Sequence, residues 1–515
     1  YVAMFLLAFP SWGMAQEDDR LLQVLKQELE YSFNELKKQK LPPYYMNLRA
    51  VDQYEANLTS SFGAMFSSKA ERSRTLVPQI RLGSPELDNF KYTTQTIPNG
   101  YGVSLPLEDN AEDAIRQAVW AEVSNRYDAA CEIYKQTQVQ SAVSVENEDK
   151  SPCFSASPAE HYYEAPLPAG LSQIDVEAWG KRLDEISAVF RECPLLQNGN
   201  ATLMFESKRS YFVNTEGAEV VQNRVAARLM LSASLMATDG MSLSLSEDFF
   251  AFNPEDLPCN DTIIAKARDI TRRLVALREA PVADPYTGPA VLSGNASGVF
   301  FHEIFGHRLE GHRLKKGGET FKKMVGEQVL PAEFQVYSDP TLSRYAGSDL
   351  NGYYLYDDEG VKARRVDNVV DGVLKEFLLG RIPLEGFPNS NGHGRSTGAT
   401  DPVSRQSNLV IETSHPYTDA ELRAMLVEEA KRQGKDYGYF FKTVTSGFTF
   451  TGEGGSLNSF NVTPLEVYRV YVDGRPDELV RGVDMIGTPL SMFSNIVAAG
   501  DCPEVFTGSC GAESG

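Results

Sequence analysis

The segment Phe301-His302-Glu303-Ile304-Phe305-Gly306-His307 sets two imidazoles around a carboxylate. That set can hold a divalent metal and place a proton acceptor beside it. Zinc-protease helices usually carry H-E-x-x-H, which puts both histidines on one face. Here the gap is one residue longer. At about 100° per residue, positions five apart diverge by roughly 140° on an ideal helix. Both rings reach one ion only if the helix bulges or ends between them, and Gly306 is a place for that distortion. Glu303 is the candidate general base. Beside a Lewis-acidic ion it would take a proton from bound water and produce a nucleophile near neutral pH.

A catalytic zinc usually has three protein ligands and one open position, so two histidines are not enough. The candidates for the third are His312, Glu310, His393, His415, Asp357, Asp358 and a cysteine. His312 repeats the five-residue spacing, but one helix cannot easily aim three groups so spaced at one point. Cys510, within Thr507-Gly508-Ser509-Cys510-Gly511, is the preferred choice: a thiolate is a strong zinc ligand, and small neighbours let the backbone turn tightly. A Cys502–Cys510 disulfide is the competing reading of the same residues. The six cysteines are Cys131, Cys153, Cys193, Cys259, Cys502 and Cys510; with Cys510 on a metal, at least one of the others stays unpaired within the chain.

Other conspicuous groups have milder readings. Asp357-Asp358-Glu359-Gly360 lacks the length of an EF-hand loop and reads as a turn between strands. Gly392-His393-Gly394-Arg395 is either close to substrate or a structural loop. Arg308, Arg313, Lys315 and Lys316 read as a solvated helix end.

The elements that must position these groups are legible in outline. Length of 515 residues suggests two to four domains with ample cores. Apolar content of 42% and charged content of 23% are those of a globular chain. The net charge of −21, with no basic stripe, argues against a nucleic-acid partner. Residues 1–15 read as the remnant of a secretory signal peptide, with Gly13-Met14-Ala15 at the cleavage point, so a secreted and periplasmic location is expected. No apolar run is long enough to span a membrane.

Leu21, Leu22, Leu25, Leu29, Phe33 and Leu36 form a helical stripe that Pro42-Pro43 ends. Residues 44–105 read as strands, and 111–145 as a long helix. Residues 146–172 read as a polar loop or mobile insertion, and 174–190 as a helix. Leu203-Met204-Phe205-Glu206 and Tyr211-Phe212-Val213-Asn214 read as two strands of a hairpin. Residues 224–237 continue the sheet and 262–279 form an amphipathic helix. The expected architecture is α+β: an N-terminal α+β domain over 16–285 and a strand-rich, barrel-like C-terminal metallopeptidase domain over 286–515.

From about Ser297 to Gly511 the chain resembles the TldD/PmbA family of metallopeptidases. The carrying residues are Gly298-Val299-Phe300-Phe301-His302-Glu303 with Gly306-His307, Leu309-Glu310-Gly311, Asp357-Asp358-Glu359-Gly360-Val361, Gly392-His393-Gly394-Arg395, Arg405 with Asn408, and Ser509-Cys510-Gly511. The resemblance implies one Zn2+ per chain on His302, His307 and Cys510, with Glu303 as base. It implies hydrolysis of unfolded peptides or short protein segments, and a homodimer or a heterodimer with a related subunit. A non-catalytic peptide-binding or partner subunit is the alternative. The chain departs from the family in three ways. His312 stands where an acidic residue is usual, the sequence ends at Gly515 before the usual tail, and the export signal is atypical of the cytoplasmic members.

Overall fold

The computed structural model describes residues 19–91, 102–143, 149–315, 321–449 and 460–511; the signal-peptide reading of residues 1–15 lies outside them. The N-terminal half is organised by one eight-stranded sheet. Its long members are β1 (Pro43–Ser61), β2 (Ala64–Ser84), β3 (Leu196–Asn214), β4 (Glu219–Met236) and β5 (Ser242–Ala251), antiparallel in the order β2-β1-β3-β4-β5. The two expected hairpin strands at 203–214 are one continuous strand, β3, whose polar middle (Ser207 to Ser210) stays paired with both neighbours.

Strand periodicity explains how the helices are placed. The apolar positions Met46, Leu48, Ala50, Ala56 and Leu58 of β1 share one parity, as do Leu203, Phe205, Tyr211 and Val213 of β3. Residues of one parity face one side of a sheet. All four long helices described in the N-terminal half therefore cover the same face. α1 (Arg20–Leu36) and α2 (Glu112–Val143) cover one end; α3 (Val176–Ala188) and α4 (Asn260–Glu279) cover the other. The leucine stripe of α1 is buried at Leu21, Leu22, Leu25 and Leu29, worth roughly 1.5–3 kcal/mol for each side chain removed from water.

The opposite parity meets the C-terminal half. Arg49 donates to the Thr400 carbonyl, Gln222 Nε2 donates to the Tyr356 carbonyl at 2.8 Å, and Phe212 and Val220 pack against Tyr356. The stretch expected to be a mobile insertion is part of this contact. Phe154 is buried, with the guanidiniums of Arg81 and Arg381 at 3.8 and 3.9 Å from its ring centre, and Arg381 donates to the Ser155 carbonyl at 3.0 Å. Cation–aromatic stacking and backbone capture hold a proline-rich segment that its polarity alone marks as loose.

The C-terminal half is rich in short strands. A four-stranded sheet (Val373–Leu374, Val366–Val370, Phe334–Ser338, Leu409–Thr413) lies beside a five-stranded one. The latter contains β6 (Ala290–Leu292), parallel to β7 (Tyr437–Thr449), and β8 (Phe460–Tyr471). The C-terminal half is strand-rich as expected, and among the described residues its sheets are open, with a half-barrel curvature in place of a full barrel. Helix α5 (Gly294–Ile304) packs Phe300, Phe301 and Ile304 into the core with Tyr439, Phe441, Val444 and Phe460. No described helix is long and apolar enough to cross a membrane.

Candidate metal centre

Helix α5 starts where Ser293 caps it, accepting from the Ala296 N–H at 3.1 Å. It carries His302 and Glu303 in its last turn and ends at Ile304. Phe305 leaves helical geometry (φ −125, ψ −52), and a 3-10 turn, Gly306–Leu309, brings His307 back toward His302. The two rings lie 4.6 Å apart at 74°. The backbone break thus falls on Phe305. That residue is fixed by stacking on Phe493 at 4.5 Å and by edge contact with Phe321 at 5.0 Å. Gly306 serves another need: a Cβ there would collide with the side-chain amide of Gln406. Arg308, expected on a solvated helix end, is buried; its Nη1 donates to the Glu303 carbonyl at 2.7 Å and the Ile304 carbonyl at 3.3 Å, closing the cut end of the helix.

The third group arrives from the far end of the chain. One ligand atom each from His302, His307 and Cys510 lies within 4.8 Å of the others. Cys510 Sγ is 3.3 Å from His307 Nε2. Its segment is pinned through backbone carbonyls: Arg228 Nη2 donates to Thr507 at 3.2 Å, Asn351 Nδ2 to Gly508 at 3.4 Å, and Arg405 Nη2 to Cys510 at 3.1 Å. Both cysteines of the alternative disulfide, Cys502 and Cys510, are free thiols.

The electrostatics of the group favour a cation at its centre. Partial burial pushes the Cys510 thiol up, but the His302 and His307 imidazoles outweigh it and bring it down to about 5. Burial pulls His307 down, and the Glu310 carboxylate and Cys510 overcome it, raising the imidazole to about 9. Glu310 Oε1 is 3.3 Å from His307 Nδ1, which leaves Nε2 to face Cys510. Glu310 is itself buried and held well below the usual carboxylate range by Arg405, His307 and Arg313 against the cost of burial. A place that stabilises positive charge between a thiolate and an imidazole suits a metal ion equally. Two imidazoles and a thiolate, with Cys510 at the solvent side, are a zinc donor set with room for a further ligand, so the residues present fit the ion.

Glu303 completes the group. Its Oε1 is 3.9 Å from His302 Nε2 and its Oε2 3.8 Å from His307 Nε2. Oε2 is buried with no hydrogen-bond partner among the described residues. Burial raises its affinity for a proton, opposed by the two histidines and Arg308. Its stem rests on β7 at Gly447, where a Cβ would stand 2.6 Å from Glu303 Cγ.

The other sequence candidates are not in the group. Glu310 stands behind His307 as its hydrogen-bond partner. His312 is buried in the short helix Gly311–Lys315, outside the cluster of ligand atoms. His415 is exposed, against Tyr417. Asp357 accepts from the backbone N–H groups of Glu359, Val361 and Gly394, which makes the Asp-Asp-Glu-Gly stretch a buried turn. His393 is buried between Asn391 and Ser407. Arg228, Asn351, Gln406 and Gly447 were not singled out from the sequence. Their roles depend on which carbonyl or side chain lies opposite, and no local pattern encodes that.

Residues 285–512 match the PmbA/TldA metallopeptidase C-terminal domain. Those residues, less than half of the chain, are similar to the PmbA/TldD family. A metalloprotease of Archaeoglobus fulgidus is 30% identical over 239 residues, which is 46% of this chain and 51% of that protein. One of Methanocaldococcus jannaschii is 27% identical over 258 residues, 49% of this chain and 52% of that protein. These matches span about half the length of either relative. In fold, the chain is similar to TldE from Thermococcus kodakarensis (TM-score 0.62, 14% identity, 93% of this chain and 94% of that one). It is also similar to a Thermotoga maritima protein described as a candidate modulator of a DNA gyrase (TM-score 0.61, 15% identity, 92% of this chain and 95% of that one). The PmbA/TldD domain contains every member of the metal-capable group.

Proposed function

We propose that this chain is a zinc-dependent peptidase acting on unfolded peptides or short protein segments. The observation that carries the reading is the convergence of His302, His307 and Cys510 beside a buried, unpartnered carboxylate oxygen of Glu303. The three ligands would hold one zinc ion per chain, which when bound supplies Lewis-acid polarisation of a peptide carbonyl and of water. Glu303 accepts the proton that the attacking water gives up and returns it to the leaving amine. Glu310 keeps His307 in the tautomer whose Nε2 faces the centre. Arg405, bonded to the Cys510 carbonyl and 3.3 Å from Glu310, ties the two halves of the group together.

The space around the group supports a chain-like substrate. His302, Glu303 and Cys510 lie in a cleft of about 3230 Å³, walled by Phe249 and Phe250 of the long sheet and by residues 290–293. Pockets for small molecules run to roughly 300–1,000 Å³. The resemblance of residues 285–512 to the PmbA/TldD family supports action as a pair, with a second copy or a related chain. The leader-like residues 1–15 support a periplasmic location.

The test is cleavage of an unfolded protein by zinc-loaded enzyme, wild type against Glu303→Gln, with metal content measured on both. The variant is expected to keep its zinc and lose hydrolysis. Hydrolysis at the wild-type rate would remove Glu303 from the reading. Absence of cleavage by the zinc-loaded wild type would turn it toward a non-catalytic peptide-binding subunit.

A further inference from the structure

Three cations gather around one carboxylate on the wall of the cleft. Lys208 of β3 and Arg224 of β4 stand directly opposite each other in the strand pairing. Both are of the parity opposite to the residues under the helices. Like charges so placed destabilise a sheet unless an anion offsets them. Within the sheet that anion is Glu206: Arg224 Nη1 donates to its Oε1 at 2.6 Å, and Lys208 Nζ stands 3.5 Å from the same oxygen. Glu206 is also within electrostatic reach of Arg395, which comes from the short strand Gly394–Arg395 of the C-terminal half. The Arg395 guanidinium lies 4.0 Å from the ring centre of Tyr354, and its Nη1 is 3.5 Å from Asp358 Oδ2. It makes no hydrogen bond among the described residues, so its planar fork of donors is open to an anion.

The cations hold the open side of this group. Lys208, Arg224 and Arg395 line the cleft, whereas Glu206 and Asp358 do not. Elsewhere on the wall the charges are closed: Arg228 takes Asp248 with two bonds at 2.7 and 2.8 Å, and both residues line the cleft. The positive patch runs against a chain of net charge −21. It also adjoins the metal group. Arg224 Nη2 donates to the Asn351 side-chain carbonyl, and Asn351 Nδ2 donates to the carbonyl of Gly508, two residues before Cys510. Arg395 pairs with Val403. Arg405, two residues farther along that strand and so on the same face, bonds the Cys510 carbonyl. We propose that Lys208, Arg224 and Arg395 form a subsite for a carboxylate of the bound peptide. The carboxylate is either the C-terminal one or that of an acidic side chain near the bond that is cut. The subsite rests on the peptidase reading above for what enters the cleft, and it gives that reading a specificity: peptides that carry a negative charge at this position.

The test uses the full zinc-loaded chain carrying Glu303→Gln, so that bound peptide is not turned over. One unstructured, labelled peptide is made in four versions: C terminus acid or amide, and internal acidic residues present or replaced by their amides. Affinity is read by fluorescence anisotropy. Loss of the recognised carboxylate should weaken binding roughly tenfold. A gap between acid and amide termini assigns the terminus, and a gap between the internal versions assigns the side chain. Adding Lys208→Gln with Arg395→Gln should close that gap. Lys208→Gln alone should keep or raise the melting temperature, because it removes a like-charge pair; a lysine held there only for stability would lower it. Equal affinity for all four versions, or a gap that survives the double variant, overturns the subsite and leaves the peptidase reading intact. Binding that follows the carboxylate, without cleavage by the zinc-loaded wild type, overturns the peptidase reading and keeps the subsite. Absence of binding by any version overturns both.

Discussion

The C-terminal half holds two clusters of titratable residues that look alike in sequence and differ in how their polar atoms are satisfied. In one, Asp357 takes three backbone N–H bonds, Glu359 accepts from the Arg381 N–H, and both nitrogens of His393 have partners. In the other, Glu303 keeps a buried oxygen without a partner among the described residues, and His302, His307 and Cys510 bring their ligand atoms within 4.8 Å of one another. A native protein normally satisfies buried polar groups, so a cluster left short of partners beside a cleft marks a site. The fully bonded cluster is architecture. It joins the long sheet to the C-terminal half, with Arg381 bonded to both Ser155 and Glu216.

The contrast predicts opposite phenotypes. Glu303→Gln should lower the hydrolysis rate by about a thousandfold or more, within the range of a lost general base, with the melting temperature unchanged. Cys510→Ser should cost metal retention more than the roughly 10–100-fold that loss of an outer partner costs, and Glu310→Gln should fall inside that range. Both are read by competition with a chromogenic chelator. Should Cys510→Ser hold zinc as wild type does, the thiol is not a ligand. Asp357→Ala should leave metal affinity unchanged and destabilise the fold by about 3 kcal/mol or more, because two buried N–H groups and one part-buried one lose their acceptor. A calorimetric midpoint equal to wild type would erase the distinction between the two clusters.

How much of this could be read from the chain follows the same division. The helical stripe of α1 is a local pattern and is present as periodicity predicts, and the helix at 112–143 lies within the predicted 111–145. The spacing of His302 and His307 implies a break between them, but placing it on Phe305 depends on Phe493 and Phe321, which are remote in sequence. Continuity of β3 through Ser207 to Ser210 depends on strands at both sides. Burial of Arg308 depends on the cut helix end it caps. Each missed feature is a tertiary contact overriding a local polarity signal. Cys510 is the informative intermediate case. Residue chemistry favoured it and resemblance supported it, yet its place beside the histidines depends on contacts from separate parts of the chain, three of them to its backbone carbonyls.

The smallest predicted effect sharpens the comparison through pH. Burial depresses His393 from its ordinary value to about 3. The unfolded imidazole binds a proton near pH 6.5, so between these values the unfolded state carries the extra proton. Stability from this residue is therefore complete above about pH 6.5 and is lost progressively as pH falls toward 3. Asp357 and Glu359 act with the opposite sign: burial raises both, so protonation on acidification favours the folded state. A single curve sums these terms, and the difference between wild type and His393→Gln isolates one of them. In urea unfolding at pH 7 and pH 5, the wild type should lose more stability on acidification than the variant, by up to about 2 kcal/mol, since each unit of pH is worth about 1.4 kcal/mol per proton. Equal losses in the two proteins would mean that His393 is solvated or charged in the fold, and the fully bonded cluster would then resemble the metal group more than its hydrogen bonds imply.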